Sequence, residues 1–144
     1  MRKFFFDDVR ASPGDDWEVA RDVPQARYLL ENCDYDVWAL DHDIGMQMLC
    51  EKCNMELWIR DMDISGIAFK EAETKFQDGC IHYETGTALV KWAIETLTKW
   101  PQLVIIHSSN PWGSARMKGL LEPFVPNIQI IPYRNVLWNT IKEN

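Results

Sequence analysis

Residues 3–8 read Lys-Phe-Phe-Phe-Asp-Asp, an apolar run that ends abruptly in two carboxylates. Residues 36–43, Asp-Val-Trp-Ala-Leu-Asp-His-Asp, repeat this arrangement, and a third run, Leu103–Ile106, ends in His107-Ser108-Ser109. Short, continuous apolar runs of this kind are typical of strands that are buried on both faces. Because ligands of parallel α/β sheets bind beyond the carboxyl ends of the strands, we expect these polar side chains to form the functional site.

The remaining pattern alternates helices with strands. The predicted elements are strands at Lys3–Phe6, Trp17–Ala20, Asp36–Leu40, Leu103–Ile106 and Ile128–Ile131, and helices at Val23–Cys33, Thr85–Trp100, Ser114–Leu121 and from about Asn135. This order predicts an α/β fold with a mostly parallel sheet and helices on both faces. The 144 residues suit a single domain, interrupted by an insertion at about 44–83 that lacks a clear helical or strand period.

The charge balance limits the possible partners. With 15 basic and 22 acidic residues, the net charge is −7, which argues against nonspecific binding to duplex nucleic acid. The apolar start of the chain is ended by Asp7-Asp8, and no run approaches the roughly 18 residues that a membrane span needs. We therefore expect a cytoplasmic protein that does not bind a membrane. The sequence does not indicate an oligomeric state.

Four acids at the predicted strand ends, Asp7, Asp8, Asp41 and Asp43, predict a site for a divalent cation and a phosphate. Carboxylates are hard oxygen ligands suited to Mg²⁺ or Mn²⁺, and converging carboxylates repel one another without a cation. The helix predicted from Ser114 follows the third strand, and its N-terminus is a natural anion site. Gly113 has no side chain that would block the approach of an anion to it. The alternative is that the acids are helix caps and solvated loop charges. Likewise, His42 and His107 either contact the ligand or carry protons, or they are hydrogen-bonded structural residues.

Cysteine spacing predicts a second metal site inside the insertion. Cys50 and Cys53 form a C-x-x-C pair, and Cys80-Ile81-His82 follows after a loop. Two close pairs of soft ligands are typical of structural zinc sites, although the second pair is tighter than usual. A redox pair or plain buried thiols remain the alternatives, and purified protein without zinc would overturn the zinc assignment.

Several stretches together resemble one family. They are Phe5-Phe6-Asp7-Asp8-Val9-Arg10, Leu40-Asp41-His42-Asp43-Ile44-Gly45, Gly86–Trp92, and His107-Ser108-Ser109-Asn110-Pro111-Trp112-Gly113 with Met117. The combined pattern is similar to that of the receiver-like domains proposed to process cyclic phosphates. The resemblance implies a flavodoxin-like receiver fold, in which Asp7 and Asp8 hold Mg²⁺ and Asp41 takes the position of the phosphoryl acceptor.

The chain also departs from ordinary receivers. The first receiver helix is reduced to a loop at 9–16, and Pro132-Tyr133-Arg134 replaces the Lys-Pro pair near the last strand. Arg116 stands where the family has Asn before Met117. These departures argue against ordinary phosphorelay signalling. They are compatible with phosphate binding, because Arg116 or Arg134 can supply positive charge.

The first functional hypothesis is a metal-dependent phosphoesterase that acts on a cyclic phosphate of a nucleotide or RNA end. In this hypothesis, Asp7, Asp8 and Asp41 hold Mg²⁺ or Mn²⁺. Asp43 or His42 orients or deprotonates the attacking water, and His107 protonates the leaving oxygen. The phosphate is held by Ser108, Ser109, Asn110, Gly113 and Arg116. The alternatives are a non-enzymatic module that binds a small phosphorylated nucleotide, and a phosphoacceptor receiver.

Overall fold

The computed structural model describes residues 1–42 and 86–141, and between them only the backbone of residues 47–50 and 55–58. In chain order the elements are β1 (Lys3–Phe6), β2 (Trp17–Ala20), α1 (Val23–Asn32), β3 (Val37–Leu40), β4 (Gln47–Cys50), β5 (Met55–Trp58), α2 (Gly86–Thr96), β6 (Leu103–Ile106), α3 (Pro111–Leu121) and β7 (Asn127–Ile130). Two 3-10 helices, Tyr133–Asn135 and Trp138–Thr140, follow.

The main sheet has five strands in the order β2-β1-β3-β6-β7, and every neighbouring pair is parallel. This order confirms the predicted receiver-like α/β fold. The strand order changes direction between β1 and β3, which makes that position the topological switch point where ligands bind in flavodoxin-like sheets. Asp7 directly follows β1 and Asp41 directly follows β3, so both acids lie at this point.

Alternating side chains of the strands form two separate cores. Phe4 and Phe6 of β1 belong to the larger core, which also contains buried residues of α1, α2 and α3. Phe5 belongs to the smaller core on the other face. Tyr133 in the first 3-10 helix and Trp138 in the second cover that smaller core. The described α-helices therefore all pack on one face, and short 3-10 helices cover the second.

Some predicted boundaries are wrong. Helix α3 begins at Pro111 and not at Ser114, because Asn110 caps it by accepting a hydrogen bond from the Gly113 amide and proline is favoured in a first turn. Helix α2 ends at Thr96 and not at Trp100. The terminal helix expected from about Asn135 is replaced by the two 3-10 helices.

The insertion predicted at about 44–83 lies largely outside the described residues. Strands β4 and β5 are antiparallel and form a separate two-stranded sheet within it. Of the predicted zinc ligands, Cys53, Cys80 and His82 lie outside the described residues, and Cys50 is described only as backbone at the end of β4. The zinc site therefore stays a prediction. None of the helices in the described part of the chain is long and apolar enough to cross a bilayer.

Gly86 allows the start of α2 to approach the end of β3 very closely. A Cβ atom on Gly86 would lie 2.4 Å from the backbone oxygen of Asp41 and 2.9 Å from the Cα atom of His42. The Gly86 amide donates a 2.8 Å hydrogen bond to the His42 carbonyl oxygen, which fixes this approach. Any side chain at residue 86 would therefore push α2 away from the site.

We expect Gly86→Ala to lower the free energy of unfolding by about 1–3 kcal/mol, because backbone atoms cannot move aside cheaply. Gly119→Ala is the matched control, since no atom lies within 4 Å of the position its Cβ would take. Alanine is the better helix former, so that variant should be unchanged or stabilised by up to about 1 kcal/mol. Urea unfolding followed by circular dichroism measures both. Equal effects of the two substitutions would contradict the close approach.

Candidate metal centre

Asp7, Asp41 and His107 form a cluster at the carboxyl ends of β1, β3 and β6. One potential ligand atom from each residue lies within 4.8 Å of the other two. All three side chains are buried, and Asp7 and His107 have no exposed surface. Buried carboxylates are unfavourable unless they are paired or bind a cation. The cluster is therefore a group of residues that could hold a metal ion.

The two carboxylate oxygens of Asp7 have different surroundings. Oδ1 accepts hydrogen bonds from the backbone amides of Val9 at 3.0 Å and Arg10 at 2.9 Å, which folds the chain into a tight turn. Arg21 stabilises this turn by donating to the backbone oxygens of Asp7 and Arg10. Oδ2 is buried without a hydrogen-bond partner among the described residues. The turn thus fixes Asp7 with one oxygen available to a ligand.

His107 lies in an aromatic environment on the second face of the sheet. Its ring stacks on Phe5 with centroids 5.2 Å apart and planes at 6°, and the rings of Tyr133 and Trp138 meet it edge-on. Nε2 is buried without a hydrogen-bond partner in the described part of the chain. Nδ1 lies 3.7 Å from Oδ2 of Asp7. The aromatic packing therefore holds the imidazole rigidly beside the free carboxylate oxygen.

Arg10 lies at the mouth of the cluster. Its Nη1 donates to the His107 carbonyl oxygen at 3.1 Å and is 3.5 Å from Nδ1 of the same residue. The same atom is 3.7 Å from Oδ2 of Asp7. Because a guanidinium can only donate, its contact with Nδ1 favours the tautomer that carries hydrogen on Nε2. In that tautomer Nδ1 carries a lone pair and lies 3.7 Å from Oδ2 of Asp7.

Burial lowers the pKa of His107 to about 4 from an ordinary value of 6.5. The Asp7 carboxylate opposes this shift by raising the pKa, and the Arg10 charge adds to the lowering. The imidazole is consequently neutral near pH 7, which is the form that binds metals.

The separation of Asp7 and His107 is compatible with a shared cation. With bonds of about 2.1 Å, two ligands of one ion lie about 3.0 Å apart when adjacent and about 4.2 Å apart when opposite. The 3.7 Å between Oδ2 of Asp7 and Nδ1 of His107 lies between these limits. A cation between them would also bind the carboxylate oxygen that has no hydrogen-bond partner among the described residues.

His42 links three elements next to the cluster. Its side chain is fully buried, and Nε2 is 2.9 Å from the Thr87 hydroxyl oxygen in α2. A Cβ atom on Gly113 would lie 2.6 Å from the imidazole Cγ, so the absence of a side chain at Gly113 makes room for the ring. His42 also donates its amide to Oδ1 of Asp41 at 2.8 Å. This environment favours the structural alternative for His42 over proton transfer.

The predicted phosphate loop has a defined internal structure. The Ser108 hydroxyl oxygen accepts from the Asn110 amide at 3.1 Å, and Asn110 Oδ1 accepts from the Gly113 amide at 3.0 Å. Gly113 therefore already has a partner for its amide. Ser108 keeps its own hydroxyl hydrogen for donation, and Ser109 is exposed. Arg116 lies within α3 with its guanidinium carbon 5.5 Å from the centre of the Trp112 ring.

Comparison with known protein families assigns the chain to one of them. Residues 2–123 match the family described as Cyclic-phosphate processing Receiver domain. The chain belongs to this family. The match includes all three residues of the cluster and confirms the resemblance seen in the motifs. Comparison with curated proteins and with solved structures finds no significant match.

Two acids of this receiver domain do not join the described cluster. Asp8 is partly exposed and is not among the three residues whose ligand atoms converge. Asp43 lies outside the described residues. The acidic site predicted from four aspartates thus consists, in the part of the chain with described side chains, of two aspartates and a histidine.

A pocket of about 560 Å³ adjoins the cluster of this receiver domain, and we call it the Tyr133 pocket. It is lined by Arg10, Ala11, His107, Ser109, Pro132, Tyr133, Arg134 and Asn135. Sequence reasoning noted Arg134 as a possible positive charge but assigned no role to Arg10 or Tyr133. A role for Arg10 could have been predicted from its position three residues after Asp7, because a tight turn there places residue 10 beside the end of β1.

The His107 pKa predicts how stability depends on pH in metal-free protein. Because the folded pKa lies below 6.5, only the unfolded chain takes up the proton between pH 6.5 and about 4. Stability is therefore fully present above pH 6.5 and should fall by up to about 3 kcal/mol as the pH approaches 4.

His107→Phe is the comparison variant, because it keeps an aromatic ring against Phe5 and cannot titrate. Urea unfolding at several pH values, with a chelator present, should show a weaker loss of stability in this variant between pH 6.5 and 4. The same pH dependence in both proteins would contradict the burial of a neutral imidazole.

Proposed function

We propose that this receiver domain is a metal-dependent phosphoesterase that hydrolyses a cyclic phosphate of a nucleotide or RNA end at the Asp7–Asp41–His107 cluster. One observation carries the proposal: two carboxylates and a neutral imidazole converge, buried, at the topological switch point, and one carboxylate oxygen has no hydrogen-bond partner among the described residues. The family's description, which refers to cyclic-phosphate processing, supports the substrate class.

The mixed ligand set favours Mn²⁺ over Mg²⁺. Magnesium prefers oxygen ligands and keeps several waters, whereas Mn²⁺ takes the same oxygen ligands and, as a transition-metal ion, accepts imidazole nitrogen more readily than Mg²⁺ does. Asp7 and Asp41 would supply oxygen, and His107 would supply nitrogen. Such a cation would neutralise the two carboxylates, polarise the phosphate and lower the pKa of a bound water.

The residues around the cluster suggest how the substrate is held. The Ser108 hydroxyl can donate to a phosphate oxygen while it accepts from the Asn110 amide. Arg10 can donate to a second phosphate oxygen, because its guanidinium is already anchored beside His107 and carries further N–H groups. These donors would stabilise the charge that builds up on phosphorus-bound oxygens during attack.

In the proposed reaction, water attacks phosphorus and forms a new P–O bond, while one ester P–O bond of the cyclic phosphate breaks. The water loses a proton and the released alkoxide gains one, so that the product is a phosphomonoester. His107 is proposed as a metal ligand and not as the general acid. Its low pKa keeps the imidazole neutral near pH 7, so that it carries no acidic proton to donate. Asp43, which follows the cluster residue Asp41 by two positions, is the residue we propose for orienting the water.

Asp41→Asn should lower turnover of a 2′,3′-cyclic nucleotide with Mn²⁺ by more than about 100-fold, because it removes a charged cation ligand. The fold should persist, since asparagine has nearly the same shape and can still accept from the His42 amide. Product formation measured by mass spectrometry, with circular dichroism as the folding check, provides the test.

Asp15→Asn is the matched control, because Asp15 is exposed and the substitution makes the same change in charge. It should retain wild-type turnover. Full activity in Asp41→Asn would overturn the proposed metal site. Tight binding of the cyclic nucleotide without any product from the wild-type protein would instead favour a module that sequesters its ligand.

A further inference from the structure

The Tyr133 pocket shares residues with the metal cluster. His107 belongs to both, and Arg10 lines the pocket while its Nη1 lies 3.7 Å from Oδ2 of Asp7. A phosphate bound at the cluster would therefore lie next to this pocket. The volume of about 560 Å³ falls within the range of about 300–1,000 Å³ typical of small-molecule sites.

The charge of the pocket is opposite to that of the chain. The protein carries 22 acidic and 15 basic residues, yet the described lining contains Arg10 and Arg134 and no acid. Arg134 is exposed, and its side chain makes no hydrogen bond or ion pair to any residue in the ranges described. A locally positive pocket in an acidic protein attracts an anionic ligand and orients it.

The floor of the pocket is a rigid aromatic surface. The Tyr133 hydroxyl donates to the Ala11 carbonyl oxygen at 2.8 Å, which joins the C-terminal segment to the loop after β1. The ring also packs against Phe5 and Trp138 on the second face of the sheet. The Arg10 guanidinium carbon lies 5.2 Å from the ring centre. A fixed ring next to the planar Arg10 guanidinium favours flat ligands, since little freedom of the tyrosine side chain is lost on binding.

We propose that the Tyr133 pocket binds the nucleoside portion of the phosphate ester, with its base against the Tyr133 and Arg134 side chains and its phosphate at the cluster. The inference rests on the proposed function and adds the origin of ligand selectivity. Arginine stacks on nucleobases and tyrosine offers an aromatic face, and both interactions tolerate different bases. The pocket therefore distinguishes nucleotides from small phosphate esters without distinguishing strongly among bases.

Two phosphomonoesters provide a matched pair of probes, because neither contains a cyclic phosphate that could turn over. Adenosine 3′-monophosphate and glycerol 2-phosphate both carry the phosphate on a secondary alcohol, and only the first has a nucleoside. Calorimetric titration of the full chain with Mn²⁺ present should give a dissociation constant at least about ten-fold lower for the nucleotide.

Arg134→Gln should weaken binding of the nucleotide by about five-fold and change the affinity for glycerol 2-phosphate by less than two-fold. Arg27→Gln, which makes the same change in charge on the exposed surface of α1, should affect neither ligand.

The outcomes separate this inference from the proposed function. Equal affinities for the two esters, or an equal loss of both in Arg134→Gln, would overturn the nucleoside pocket and leave the phosphate site standing. Failure of both esters to bind with Mn²⁺ present would overturn the phosphate site and the pocket assignment together.

Discussion

The buried carboxylate of Asp7 is the constraint on which the site depends. A charge without exposed surface at the end of β1 must be compensated, and the turn at Val9 and Arg10 compensates only one of its oxygens. The second oxygen faces Arg10 and His107, each 3.7 Å away. A hydrophobic strand that runs directly into this carboxylate therefore creates a position that could hold a cation, and β3 and β6 each add one more potential ligand.

The two faces of the sheet contribute in different ways. On the helical face, His42 contacts Thr87 and Gly113, so that α2 and α3 are held against the end of β3. On the other face, short 3-10 helices replace a full helix and bring Tyr133 to the strand ends. The aromatic packing that buries His107 and lowers its pKa thus also forms the floor of the adjoining pocket. One packing arrangement supports both the neutral imidazole of His107 and the proposed nucleoside site.

The sequence predicts the sheet well because its strands are short, continuous apolar runs that end in acids. It also places Asp7, Asp41 and His107 at strand ends. It does not predict that His107 offers a ligand atom to the cluster while Asp8 stays outside the described cluster, because that depends on which way each side chain leaves its strand. The start of α3 was missed although Asn110-Pro111 is a capping signal. The pocket was missed because Ala11 and Tyr133 are 122 positions apart.

The most direct test of the metal centre is anomalous diffraction from crystals of the protein soaked in Mn²⁺. The account predicts one strong peak at about 2.1–2.3 Å from Nδ1 of His107 and from a carboxylate oxygen of both Asp7 and Asp41. His107→Phe crystals treated in the same way should show a weaker peak or none. Absence of the peak at saturating Mn²⁺, or a peak held by Asp8 without His107, would contradict the account.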